Sequence, residues 1–285
     1  MKVFFLSLAV LMVQSAHKDL VHFNYDPNDE NNGPGHWGAS CGSKVRQSPV
    51  NIRRAEVQFG QSFSLEYNHD VHPVDGLLMN NGHSASFQLD DSSCVLKVTG
   101  TPGIGNQTFE LSSFHFHFGP SNNVGSEHRM NGRAFPAEIH FVHVNTKYSS
   151  LGEALTHPDG LAVIGVFLRL GQRRNKELSK VINKMESIET KESKVPLSVA
   201  FAKLMPPLTK VYSYAGSLTT PPCSEVVQWF ICKQRMVITE SQLAQLRMLK
   251  SGDQSSDFMS KFGNFRPIQP NQGRQVMANF GTNQG

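Results

Sequence analysis

Ser113-Phe114-His115-Phe116-His117-Phe118 alternates imidazole and phenyl rings at the two-residue period of a β-strand. Successive strand side chains point to opposite faces, so His115 and His117 share one face and Phe114, Phe116 and Phe118 the other. The phenyl face can bury itself in a core. The imidazole face then presents two nitrogen donors one pleat repeat apart, a spacing that lets both bind one metal ion. About twenty residues on, Ala137-Glu138-Ile139-His140-Phe141-Val142-His143-Val144 reads as a second strand with two more histidines. Three neutral imidazoles and an open fourth position make a catalytic zinc site, whereas structural zinc sites are closed by four protein ligands.

Periodicity alone does not choose between His140 and His143, which lie on opposite faces of their strand. Glu138 shares the face of His140, where a carboxylate can hold the ligand's outer ring nitrogen. That favours His140.

Lys2, the apolar run Val3 to Val13 and the small residues Ser15 and Ala16 have the form of a secretory leader over residues 1–16. The run is too short to span a membrane, and no stretch of about twenty apolar residues follows. The C-terminal Asn279-Phe280-Gly281-Thr282-Asn283-Gln284-Gly285 has no hydrophobic tail of a lipid-anchor signal. A secreted, extracellular protein is therefore expected. Residues 17–285 hold no linker, composition break or internal repeat and read as one domain. A net charge of +4 with no long basic run does not point to nucleic acid, and Arg169 to Lys180 reads as a solvated helix face. Four cysteines in an oxidising compartment permit disulfides in three full pairings. Asn106-Gln107-Thr108 is a glycosylation sequon in a Gly/Pro-rich loop.

Strand signals dominate, over Ser64–Tyr67, His83–Leu89, Cys94–Val98, Thr108–Phe118, Ala137–Asn145, Leu161–Leu170, Tyr212–Tyr214 and Val226–Lys233. Helical spacing appears in Asn175–Met185 and, after Thr239, in Glu240–Leu249, with a short helical turn at Leu151–Leu155. The fold class is mainly β (α+β): one large sheet with short peripheral helices.

Further landmarks are Gly33-Pro34-Gly35-His36-Trp37, Gln47-Ser48-Pro49-Val50-Asn51-Ile52, Asn80-Asn81-Gly82-His83, Gly125-Ser126-Glu127-His128, Asp159-Gly160-Leu161-Ala162-Val163, Gly216-Ser217-Leu218-Thr219-Thr220-Pro221-Pro222 and Asn264-Phe265-Arg266-Pro267. With the two histidine strands, in this order, they resemble the α-class carbonic anhydrases over about residues 23 to 274. The resemblance implies a twisted, mostly antiparallel sheet of about ten strands. It also implies reversible hydration of carbon dioxide to bicarbonate and a proton by a zinc-bound hydroxide. His115, His117 and His140 are then the zinc (Zn2+) ligands, His143 a core residue, and His128 a buried hydrogen-bonding residue near Tyr214. Thr219 and Glu127 orient the hydroxide, Thr220 offers a substrate-side hydroxyl, and His83 shuttles the proton. Val142, Val163, Leu218, Val227 and Trp229 resemble the apolar wall that holds carbon dioxide, and Tyr25 an active-site tyrosine. Secreted relatives also imply a Cys41–Cys223 disulfide, leaving Cys94 and Cys232 as buried thiols or a second bridge.

Four positions depart from the family pattern. Ser113 stands where many members place a glutamine that orients the first ligand. Phe118 replaces a common tryptophan, and Ala85 and Ser86 alter the cleft rim. The alternative is a carbonic-anhydrase-like matrix or binding protein with little turnover. Loss of a zinc histidine would mark such a protein, and all three are present.

Overall fold

The Phe/His stretch ends the longest strand of a computed structural model, which describes residues 22–43, 45–67, 73–90, 95–252 and 257–282. The leader-like residues 1–16 and Cys94 lie outside the described residues. The strands are β1 (Asn51–Ile52), β2 (Val57–Gln58), β3 (Ser64–Tyr67), β4 (Val74–Asn80), β5 (Ala85–Leu89), β6 (Val95–Thr101), β7 (Gly105–Phe118) and β8 (Arg129–Met130). They continue with β9 (Ala137–Asn145), β10 (Leu161–Leu170), β11 (Lys194–Val199), β12 (Val211–Gly216), β13 (Val227–Cys232), β14 (Met236–Ile238) and β15 (Val276–Ala278). The helices are α1 (Leu151–Ala154), α2 (Lys176–Ile182), α3 (Phe201–Leu204) and α4 (Glu240–Arg247).

One sheet of 13 strands follows a ten-strand path, β11-β4-β5-β7-β9-β10-β13-β12-β15-β2, with β14 beside β10 and β6 linking β3 to β7. Most pairs are antiparallel; β10 with β13, β10 with β14 and β15 with β2 are parallel. The expected large, mostly antiparallel sheet is present. Among the strands without a clear sequence signal, two are longer than three residues and miss it for opposite reasons. In β4, Gly76 interrupts the apolar pattern, yet a Cβ there would lie 2.1 Å from the Gln88 carbonyl oxygen. In β11, Pro196 lacks a donor, which the sheet tolerates because β11 is an edge.

The two faces of the central strands bury against different partners. On β10, Ala162, Ile164, Val166 and Leu168 join the main core with Phe114, Phe116, Ile139 and Phe141. Leu161, Val163 and Phe167 join Trp229 and Val227 on the other face. Helices α2 and α4 cover the main core through Leu178, Val181, Leu243 and Leu246. A capping box starts α4, in which Thr239 accepts from the Gln242 backbone and the Gln242 side chain from that of Thr239. Phe114, Phe116 and Phe118 are fully buried, each contributing about 2–3 kcal/mol of transfer free energy.

Between Leu111 and Ser113, β7 carries one residue more than β9, since Leu111 faces His143 and Ser113 faces Val142. The bulge switches faces. Phe109 and Leu111 therefore share the core with Phe114 and Phe116, although by alternation they belong with the histidines.

Candidate metal centre

His115 and His117 come from β7 and His140 from β9, with His115 directly across from His140. One ring nitrogen of each lies within 4.8 Å of the other two. Second partners fix which nitrogens face inward. His117 Nδ1 donates to the Asn264 carbonyl at 2.6 Å, freeing Nε2 for the centre. His140 Nε2 donates to Glu138 Oε1 at 2.9 Å, turning Nδ1 inward. Glu138 also accepts from His128, through Nδ1 at 2.7 Å and the backbone N–H at 2.9 Å. His128 Nε2 lies 2.6 Å from the Tyr214 hydroxyl, as the resemblance implied. Gly165, across from His140 on β10, leaves room for this carboxylate, because a Cβ there would lie 2.9 Å from Glu138 Oε1.

The electrostatics suit a cation. Burial pushes His115 down to about 3, His117 well below its ordinary value and His140 down, so all three imidazoles are neutral at pH 7, the form that ligates. Burial works to raise the Glu138 carboxyl, but His128 and His140 more than offset it and hold it well below the usual range. Glu127 is pushed well above that range by burial, against hydrogen bonds from the Arg266 backbone and the Thr219 side chain. Its Oε2 lies 3.5 Å from His117 Nε2, and both atoms are buried without a hydrogen-bond partner. Orphaned polar atoms inside a core cost about 1–3 kcal/mol each. A metal ion among these nitrogens would satisfy His117 Nε2 and supply positive charge beside Glu127. Neutral nitrogen donors with carboxylate support fit zinc.

His143 points the other way. It is buried in the main-core face, with Nε2 2.9 Å from the Tyr67 hydroxyl and Nδ1 3.2 Å from the Ala162 carbonyl oxygen. Thr219 is buried and Thr220 half-exposed, in the turn after β12. Val142, Val163, Leu218, Val227 and Trp229 fall in one apolar cluster on the histidine face. The Trp229 ring packs 4.7 Å from both His140 and His128, and its Nε1 donates to the Ser217 carbonyl at 3.0 Å. Phe118 turns into the main core, and Ser113 stays half-buried on the histidine side of the bulge.

His83 precedes β5, with its backbone tied to Asn81 and Asn264. Its ring stacks on Phe23 at 4.0 Å between centroids and 11° between planes. Burial, then the charges of Lys191 and His22, push it down to about 4. Tyr25 packs with Phe23 and Trp37 near Glu127, its phenol held well above the usual range by burial and that carboxyl. Cys41 and Cys223 form the implied disulfide beside Trp37, and Cys232 is a free buried thiol. Sequence reading gave no role to Asn264. Its side chain accepts from the Phe118 backbone N–H and donates to the Phe116 and His83 carbonyls, tying the end of β7 to the His83 turn. Nor did it give one to Arg266, whose guanidinium binds Gln47, Ser48 and the Cys41 carbonyl. Their place in the Asn264–Pro267 landmark was the only available signal.

The sequence model of the eukaryotic-type carbonic anhydrase family matches residues 32–280. Human carbonic anhydrase 7 is 37% identical over 256 residues, covering 88% of this chain and 96% of that protein. Rabbit (Oryctolagus cuniculus) carbonic anhydrase 1 is 40% identical over 242 residues, covering 82% and 99%. Mouse carbonic anhydrase 3 is 34% identical over 255 residues, covering 87% and 96%. Agreement along nearly the whole of each relative, on a fold that gathers three inward imidazoles, assigns the chain to the α-class carbonic anhydrases, the zinc-dependent lyases that interconvert carbon dioxide and bicarbonate.

Proposed function

We propose that this carbonic anhydrase is secreted and works through a zinc hydroxide, with His115, His117 and His140 as the ligands. The observation that carries this reading is the inward convergence of His115, His117 and His140, with His117 Nε2 buried and unpartnered. When bound, zinc supplies a hydroxide near neutral pH, its water having a pKa of about 7, a figure established for carbonic anhydrase itself rather than deduced from these residues.

The protein's part is to position and to move protons. Thr219 donates its hydroxyl hydrogen bond to Glu127 and so would accept one from the nucleophile, aiming a lone pair at the substrate. This is orientation of a reactant, not proton abstraction by the carboxylate. Carbon dioxide has no charge to recognise, so the apolar wall of Val142, Val163, Leu218, Val227 and Trp229 suffices to place it, with Thr220 at its polar edge. Each turnover leaves one proton to export. His83 carries it outward when its ring leaves Phe23.

Three features support secretion: the leader-like residues 1–16, the Cys41–Cys223 disulfide and the exposed Asn106 of the sequon at the start of β7, which we propose is glycosylated. No helix among the described residues is long and apolar enough to cross a membrane. Carbon dioxide hydration with and without a zinc chelator tests the chemistry. Activity that survives complete zinc removal would refute it. Recovery from culture medium of a chain starting near residue 17, shifted in mass by glycosidase, tests the export.

A further inference from the structure

Away from the metal centre, cations gather around two aromatic groups. Arg133 and Arg235 both stand over the Phe135 ring, at 5.6 and 4.6 Å from its centroid. Arg54 stands over Phe59 at 5.7 Å and Lys233 over Phe280 at 4.9 Å, and those rings pack edge to face at 5.7 Å. Tyr212 joins the two groups. It packs against Phe280, and its phenol, held up by burial, is drawn back by the charges of both Arg54 and Arg235. Arg169 lies beside the β14 segment that follows Arg235, and Lys210 is hydrogen-bonded through its backbone to Lys233.

Among the described residues, Arg54, Arg133, Arg169, Lys210 and Arg235 form no ion pair, and nearby Glu56 is taken by Arg53 at 3.2 Å. The like charges disfavour one another. Burial, then Arg133 and Arg169, lower the Arg235 guanidinium; burial, then Lys210 and Arg54, lower the Lys233 ammonium. Holding such a cluster costs free energy that a polyanion would return through charge neutralisation and release of its counterions.

We infer that the face built by Arg54, Arg133, Arg169, Lys210, Lys233 and Arg235 docks a sulfated polysaccharide. Guanidinium groups match tetrahedral oxyanions through paired N–H donors, and ring contacts hold four of these cations in place in advance. Single-stranded nucleic acid fits less well, because stacking needs open rings and Phe135, Tyr212 and Phe280 are buried beneath the cations. A membrane fits less well too, since the exposed large apolar side chains, Val45, Met248 and Phe258, belong to none of these contacts. Choosing a sulfated glycan among polyanions rests also on the proposed secretion, which the culture-medium experiment tests separately.

The test measures affinity of the purified holoenzyme for heparin, with hyaluronan, a single-stranded oligonucleotide and phosphatidylserine vesicles as competing probes. Heparin should bind most tightly, and salt should weaken it. Arg133→Glu with Arg235→Glu should bind about tenfold more weakly at 0.2 M salt, with a salt slope shallower by about two ions. Carbon dioxide hydration should be unchanged, which also reports that the variant is folded. Lys176→Glu with Lys203→Glu, an equal charge change on exposed positions of α2 and α3, should bind as the parent does. If the first pair fails to fold, Arg169→Glu with Lys210→Glu gives the reading instead. The inference is overturned if heparin binds no better than hyaluronan, if the oligonucleotide or vesicles bind more tightly, or if the control pair weakens binding equally.

Discussion

The Phe23 ring lies flat against the imidazole of His83, 4.0 Å away and 11° from parallel. Stacked there, with burial and Lys191 pushing it down to about 4, His83 is a poor proton acceptor at pH 7. Direct release to water from a donor of pKa about 7, the established figure for carbonic anhydrase, is capped near ~10^3 per second if recapture runs at ~10^10 M⁻¹s⁻¹. Phe23→Ala should move the His83 pKa toward its ordinary value and raise turnover in dilute buffer several-fold. His83→Ala should lower it, with imidazole buffer restoring much of the loss. Ring-proton NMR titration and stopped-flow hydration at low buffer provide the readouts. Unchanged turnover in both variants would mean another group exports the proton.

His140→Ala should abolish tight zinc binding and activity, while His143→Ala should keep both and lose stability. Glu138→Gln should weaken zinc by about 10- to 100-fold, the usual cost of removing a ligand's outer partner. Metal analysis after dialysis against graded chelator measures all three. Full zinc in the His140 variant would remove it from the ligand set.

Thr219→Ala should reduce kcat by on the order of 10^2 while zinc content stays whole, because it loosens orientation and not the metal. Parallel activity and metal measurements separate these. Loss of zinc along with activity would recast Thr219 as a structural support.

His143 makes stability depend on pH. Its pKa is pushed down to about 4 by burial, from an ordinary 6.5, so between those values the unfolded chain binds a proton that the native state refuses. Stability is therefore lost as pH falls from about 6.5 to 4, by about 3 kcal/mol for this one group. His143→Gln should be less stable than the parent at pH 7, with the gap narrowing by about that amount at pH 4. Urea unfolding at the two pH values measures it; a gap independent of pH would show that His143 does not titrate.

The Cys41–Cys223 bridge spans 182 residues, for which the chain-entropy model gives about 5 kcal/mol as an upper figure. Cys41→Ser with Cys223→Ser should lower the urea midpoint by several kcal/mol equivalent, and an unchanged midpoint would count against a structural role.

What could be read from the residues followed from period. The Phe/His alternation gave the histidine strand and its buried face, and the shared face of Glu138 and His140 separated His140 from His143 on period alone. Strands β4 and β11 escaped notice because Gly76 and Pro196 answer to a neighbouring carbonyl and to a sheet edge, both distant in sequence. Asn264 and Phe23 stayed without roles for the same reason. Their partners, His117 and His83, lie 147 and 60 residues away, and no local pattern links them.

The extra residue near Ser112 also marks where the strand can change length. Deleting Ser112 would leave a regular ladder in which Leu111 and Ser113 still face consecutive residues of β9, whereas ironing out the bulge with Ser112 retained would rotate Phe109 and Leu111 out of the core and turn their neighbours inward. The turn at 102–104 is another such place, because Pro102 and Gly103 are exposed and a gained or lost residue there leaves both faces as they are. Across descendants of this gene, length changes should accumulate at that turn, and within this stretch of β7 the bulge residue itself is the one that can be lost, since its loss leaves the histidine face and the core face in place.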